Sequence, residues 1–280
     1  TDLTVICIEK NYFRIVSSAA NREHDKFHIL KHISKDVKLT DVTEDYCCLG
    51  LFGPKSREMI SSISSDDFSN ENFKFATAKF VKIDDVEVWA QRISYVGELG
   101  FELYVKKENA LKLFDILIDK GKTYKISLCG MHAMDIMRME SGYLHWGHDI
   151  SPEENQFEAG LNFAVSFKKN INFIGRAALE KKRDKKNQKK FKMLILNHSK
   201  EGAPLMLHHE PIYLKDKIVG CTTSGCYSFN YKKNLAFGYI NSGLTSDQID
   251  KEAFEIEVEK KKYPASVITR PLNDKKLSSL

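Results

Sequence analysis

The chain has 280 residues, 42% hydrophobic and 29% charged, with 43 Lys+Arg against 38 Asp+Glu and a formal net charge of +5. This is a folding composition, long enough for one large core or two smaller ones, and it excludes global disorder. No apolar run approaches the roughly 20 residues of a spanning helix, so no membrane partner is expected. The mildly basic balance suits a small anionic ligand and does not make a nucleic-acid binder.

The chain opens in a strand-like run, Leu3–Ile8, and a second strand is predicted over Tyr12–Val16. A domain seldom starts on a strand without lead-in, so the chain is expected to be a fragment of a longer polypeptide, cut inside a domain. A helix is predicted from Asn21 to Ile33, carrying His24, His28 and His32 on one face. Helix-borne His ligands usually come with a catalytic Glu between them, so a solvent-facing stripe is preferred over a metal site. Leu39–Leu51 reads as strand, and GPKSREMISSI from Gly53 as turn then helix. The polar stretch Ser61–Asn72 reads as loop. Val86–Val105 reads as a hairpin, VEVWAQRISYV and FELYV about GELG. Glu108–Lys120 has a helical apolar stripe ended by Gly121, and Gly130–Tyr143 reads as another helix.

The basic run Lys181–Lys190 (KKRDKKNQKK) reads as a solvated linker or helix end. Beyond it come short β runs: FKMLIL, EPIYL, KIVGCTT, LAFGYI, FEIEVE and YPASVIT. Their spacing is that of a barrel or sandwich. The expected organisation is an α+β region over 1–180 followed by an all-β domain over 190–275.

Six cysteines at 7, 47, 48, 129, 221 and 226 show no CxxC spacing. They read as reduced thiols, in a cytoplasm or, in a eukaryote, a mitochondrial matrix. The HWGHD segment, with His145 and His148, invites a hydrolase reading, but no GxSxG elbow accompanies it. Neither GxGxxG nor GxxxxGK[ST] occurs, so no dinucleotide or P-loop site is expected. The segment SYVGELGFELY is more distinctive. Strand alternation places Glu102 and Tyr104 on one face and Phe101 and Leu103 on the other. A carboxylate beside an aromatic ring suits a flat heterocycle with an N–C–N donor edge; an ordinary hairpin is the competing reading.

Three ordered segments then carry a resemblance: SYVGELGFELYV; GMHAMDIMRMESGYLHWGHDISPEENQFEAGL with NFIGRAAL; and EPIYLKDKIVGCTTSGCYSFNYKKNLAFGYI. The chain resembles the folate-binding aminomethyltransferase (glycine cleavage T protein) family from DLTV to ITRPL. Within it, the likeness is nearest to the C-terminal folate domain of dimethylglycine and sarcosine dehydrogenases. The resemblance implies ferredoxin-like α+β folate-binding domains followed by a C-terminal β-barrel, with tetrahydrofolate as the ligand. It implies a module that captures a one-carbon unit from an N-methyl amine as 5,10-methylenetetrahydrofolate, behind an upstream flavin (FAD) oxidoreductase domain of the same polypeptide. Carried over onto matching positions, Asp2 is the catalytic acid beside the reactive edge of the folate. Asp2, Leu3, Tyr95, Glu102, Leu103, Tyr104 and Phe163 contact the ligand, with Glu102 on the pterin edge.

Two departures bear on the subtype. Met134 stands where free-standing T proteins carry an Arg of the folate site, and Phe163 stands where some relatives have Tyr. Arg138, on the same helix, reads as a structural ion pair. The alternatives are a stand-alone aminomethyl- or methyltransferase, of T-protein or sulfoniopropionate demethylase type, and a non-enzymatic folate-binding factor of the same fold.

Overall fold

The computed structural model describes residues 1–183 and 188–280, which form two compact units: Thr1–Met131 with Lys275–Leu280, and His132–Asp274. The middle of the basic run Lys181–Lys190 lies outside the described residues.

The first unit opens with an antiparallel pair, β1 (Leu3–Glu9) and β2 (Tyr12–Ser17), followed by helix α1 (Arg22–His32). Then come β3 (Tyr46–Phe52), α2 (Ser56–Ser61), β4 (Ala78–Ile83), β5 (Val86–Gln91), β6 (Gly100–Lys106) and α3 (Ala110–Gly121). The last four strands make one antiparallel sheet in the order β3-β6-β5-β4. Period-two alternation sorts its faces. Phe101, Leu103 and Val105 of β6 join Val88 and Ala90 of β5, Met59 and Ile60 of α2, and Leu113 and Leu117 of α3 in one core. Phe68, Phe73 and Phe101 cluster there with ring centroids 5.3–5.6 Å apart.

Two details differ from the sequence expectation. The first hairpin arm ends at Gln91, and residues 92–99 form a bent connection, so the turn is wider than GELG. The strand expected from Leu39 starts only at Tyr46. The preceding residues are taken by a local polar lock: Asp41 accepts from the Thr43 backbone at 3.1 Å and from Arg22 Nε at 2.9 Å. Side chain-to-backbone bonding of this kind competes with a sheet ladder.

The second unit holds α4 (Met131–Glu140) apart from its first residue, α5 (Arg176–Arg183), β7 (Lys190–Leu196), β8 (Pro211–Leu214), β9 (Lys217–Ser228), β10 (Lys233–Ile240), α6 (Ser246–Ile249), β11 (Ala253–Val258) and β12 (Lys261–Ile268). The six strands close into an antiparallel barrel, β10-β7-β12-β11-β8-β9. Leu194, Leu196, Ile212, Phe254 and Ile256 lie in its core. β9 runs on through Gly220 and Gly225, which the turn-like SGC disguises in sequence. At Gly220 a Cβ would stand 1.8 Å from the Tyr239 carbonyl oxygen, so only glycine permits this strand approach.

The boundary between these two compact units falls at Met131. The cause is α4, whose Met139 packs with Leu235 and Phe237 of the barrel. Arg138 deepens that attachment. Its guanidinium, 1% exposed, donates to Asp135 Oδ1 (2.8 Å), Ser224 Oγ (2.9 Å), the Tyr143 carbonyl (3.1 Å) and Asp149 Oδ2. The structural ion pair read from the sequence is thus present, with two acids. Breaking a buried pair strands a charge and costs about 3–5 kcal/mol. Arg138→Met is therefore expected to lower unfolding free energy by about that amount in urea titration. The paired change Arg138→Met with Asp149→Leu should cost less than the single one.

Candidate functional site

The site starts from the central position of β6. Glu102 and Tyr104 lie on the face opposite the core, and the Tyr104 hydroxyl donates to Glu102 Oε2 at 2.7 Å. Oε1 has no hydrogen-bond partner among the described residues. Register places Gly50 and Gln91 on either side of Glu102, and Cys48 and Trp89 on either side of Tyr104. Burial pushes the Glu102 carboxyl above its ordinary range, with the Tyr104 hydrogen bond acting against it. Burial likewise pushes the Tyr104 phenol up, so the hydroxyl remains a donor at neutral pH.

Beside this face lies a cleft of about 320 Å³ within the first unit. Val16 and Ser17 of β2, Asp25 and Lys26 of α1, and Tyr46 and Tyr104 line it. The Arg14 guanidinium of β2 lies over the rings of Tyr46 (5.1 Å) and Trp89 (4.9 Å), joining the hairpin to the sheet face. Asp25, 5% exposed, accepts from Thr1 Oγ1 at 3.2 Å and faces His24 Nδ1 at 3.0 Å. Burial raises its pKa, but hydrogen bonds with His24, Ser17 and Thr1 outweigh this and hold the carboxyl below its ordinary value. Lys26 stands 3.6 Å from Asp41, which also pairs with Arg22.

The sequence-predicted residues are placed as follows. Leu3 opens β1 opposite Ser17, a cleft residue, and Asp2 precedes it, exposed. Tyr95 is half-buried in the 92–99 connection. Glu102 and Tyr104 are together, as alternation requires. Leu103 has a different place from that expected of a ligand contact: its side chain is 0% exposed in the core, so it offers the site face no side chain. Phe163 belongs to the second unit and is 86% exposed. Glu98 pairs with Lys275 at 2.5 Å.

The histidine motifs resolve differently from Glu102. His24, His28 and His32 are exposed on α1. The acid of HWGHD, Asp149, is taken up by Arg138, Thr223 and Ser224, so no imidazole is paired with it. Sequence reasoning missed Asp25, Arg14, Trp89 and Gln91. For the last two the signal was present: VEVWAQ alternates in phase with Glu102 across the hairpin.

The GCVT N-terminal domain family matches residues 1–169, and the glycine cleavage T-protein C-terminal barrel domain family matches residues 189–274. The chain belongs to this family of folate-dependent aminomethyltransferases. It is 33% identical to human mitochondrial dimethylglycine dehydrogenase over 97% of its own length and 31% of the relative's. It is 32% identical to a formaldehyde-forming 4-methylaminobutanoate oxidase of Paenarthrobacter nicotinovorans, over 98% of the chain and 33% of that protein. An aminomethyltransferase of Listeria welshimeri is 31% identical over 96% of the chain and 71% of its own length. The chain thus spans about a third of the first two relatives and most of the third. In fold, it superposes on the aminomethyltransferase T of Bartonella henselae with a TM-score of 0.81 at 20% identity, covering 97% of this chain and 72% of that one. Among the described residues no helix is long and apolar enough to cross a membrane.

Because the Glu102 pKa is raised in the fold, the native state holds its proton to higher pH than the unfolded chain. Between the two pKa values stability therefore falls as pH rises. Tyr104→Phe removes the donor that favours the carboxylate and is expected to cost about 1.5 kcal/mol at neutral pH, little at acid pH where Glu102 is protonated. Thermal melts across that range check this; Glu102→Gln should flatten the difference.

Proposed function

We propose that this chain binds a reduced folate against the site face of β6 and serves as a folate-dependent aminomethyl- or methyltransferase. The observation that carries the reading is the half-buried Glu102 carboxylate, fixed through Oε2 by Tyr104 with Oε1 left for a ligand. The residues fit the ligand. A carboxylate accepts two N–H bonds from the aminopyrimidine edge of a pterin, and charge-assisted pairs of this kind are among the stronger hydrogen bonds. Tyr46 and Tyr104 supply flat walls to the neighbouring cleft, whose volume is within the range of small-molecule sites.

Bound tetrahydrofolate supplies a nucleophilic nitrogen that takes up a one-carbon unit. The chain's own residues position it. Glu102 and Tyr104 fix the pterin edge, and Tyr95 is the further contact carried by the family likeness. Asp2 is assigned the acid beside the reactive nitrogen, where a carboxylate stabilises developing positive charge and accepts a proton. Enclosing donor and acceptor together supplies proximity and keeps a reactive one-carbon unit from water.

A second reading is favoured by the identity with dimethylglycine dehydrogenase over nearly all of this chain. In it the chain is the folate half of a flavin-linked dehydrogenase and takes up the one-carbon unit released by N-demethylation. Met134, in place of the Arg of free-standing T proteins, leans the same way. The breadth of aminomethyltransferase relatives covering most of their own length supports the first reading.

Glu102→Ala is expected to weaken tetrahydrofolate binding about tenfold or more, since 1.4 kcal/mol is a factor of ten. Titration calorimetry on the full polypeptide measures it, and unchanged affinity removes Glu102 from the site. Asp2→Asn should slow methylenetetrahydrofolate formation while leaving folate affinity near wild type; equal loss in both would refute the assigned role. Supplying the one-carbon unit on a lipoyl carrier, or as an N-methyl amine with the native flavin domain, separates the two readings.

A further inference from the structure

β5 carries an unusual set of polar atoms. Gln91 is 1% exposed, yet neither its Nε2 nor its Oε1 has a hydrogen-bond partner among the described residues. Trp89, two residues earlier and 4% exposed, leaves Nε1 unpaired. Both side chains share the face of Glu102 and Tyr104, because Gln91 is the register partner of Glu102 and Trp89 of Tyr104. Buried amide groups almost always find partners. A carboxamide with both ends unsatisfied costs stability, and an apolar side chain of similar size would avoid that cost. Strand packing therefore gives no reason for glutamine here, whereas a ligand bearing polar atoms does.

We infer that Gln91 is a ligand-reading residue that works with Glu102 on the 2-amino-4-oxo edge of a reduced pteridine. This rests on the folate reading above and deepens it. The edge presents two donors, the 2-amino group and N3–H, followed by one acceptor, the 4-oxo oxygen. Glu102 offers two acceptor oxygens for the donors. Directly across the ladder, Gln91 offers an Nε2–H donor for the oxygen. Direct cross-strand neighbours lie about 4.5–5.5 Å apart at Cβ, close enough for both to engage one ring edge. A carboxylate alone accepts equally from any amidine-like edge; the adjacent carboxamide adds the reading of the oxo group.

The test titrates tetrahydrofolate into the full polypeptide by calorimetry, using wild type, Glu102→Ala, Gln91→Leu and the near-isosteric Gln91→Met, with the melting temperature of each apoprotein in parallel. The expected result is a loss of affinity of about tenfold in both Gln91 variants, with melting temperatures equal to or above wild type. That pairing separates a binding role from a structural one, which would lower the melting temperature. Wild-type affinity in either folded Gln91 variant overturns the assignment of Gln91 while leaving the folate reading standing. Absence of binding by the wild type itself overturns that reading and Gln91 with it.

Discussion

The candidate site depends on the central position of β6. It pairs with β3 on one side and β5 on the other, so its backbone is committed on both edges. Phe101, Leu103 and Val105 are all 0% exposed beneath it. Burying side chains of this size contributes about 1.5–3 kcal/mol each. A slip of one residue would exchange all three for Glu102, Tyr104 and Lys106. Several kilocalories of core packing thus hold one carboxylate on the opposite face, and the half-burial of Glu102 is tolerated because it is tied to that packing.

The local chemistry follows from this placement. A half-buried carboxylate left alone would take up a proton and lose its use as a double acceptor. Tyr104, two residues along the same face, offers its hydroxyl and favours the ionised form. The phenol, pushed well above its ordinary range by burial, stays protonated and cannot become a competing anion. The same alternation that builds the core therefore supplies both the acid and its donor. The β1–β2 hairpin reaches this face through Arg14 over Tyr46 and Trp89, which brings Ile15, Val16 and Ser17 of β2 to the cleft.

Much of this was legible before the structure. The six barrel strands stand out as short apolar runs between turn residues, and the observed strands overlap every one of them. The Glu102–Tyr104 face follows from period-two alternation alone. What stayed hidden did so for physical reasons. β4 lies behind a polar loop, with Lys79 in the phase of its core residues and Phe80 exposed, so AKFVKI reads weakly as a strand. Asp25 sits in a helix rich in charge, and its burial depends on Thr1 and Ser17, distant in sequence. Leu103 was assigned to the ligand by family likeness, whereas its phase on β6 sends its side chain into the core. The attachment of α4 to β9 was invisible because Arg138 finds its acceptors Asp149 and Ser224 only in three dimensions.

The two units also treat buried polar atoms differently, and the contrast bears on function. In the second unit, Arg138 and Asp149 satisfy one another with Ser224 and Thr223, and Glu140 accepts from Ser228 (2.6 Å) and Asn230 (2.9 Å). Such a network is what a purely structural attachment requires, since each unpaired member would be costly in a low-dielectric interior. In the first unit, Trp89 and Gln91 leave buried donors and an acceptor unpaired, in phase with Glu102 and Tyr104, and Arg92, next in the chain, leaves Nε and Nη2 unpaired while its Nη1 donates to the Phe73 carbonyl. On β5 the unpaired atoms fall opposite Glu102 and Tyr104. A sheet that needed only stability would fill these positions with apolar side chains, as the core face of the same strand does with Val88 and Ala90. The partnerless polar atoms of Trp89 and Gln91 on the site face are the ones the proposed folate would satisfy, whereas the Arg138–Asp149 network serves the attachment of α4.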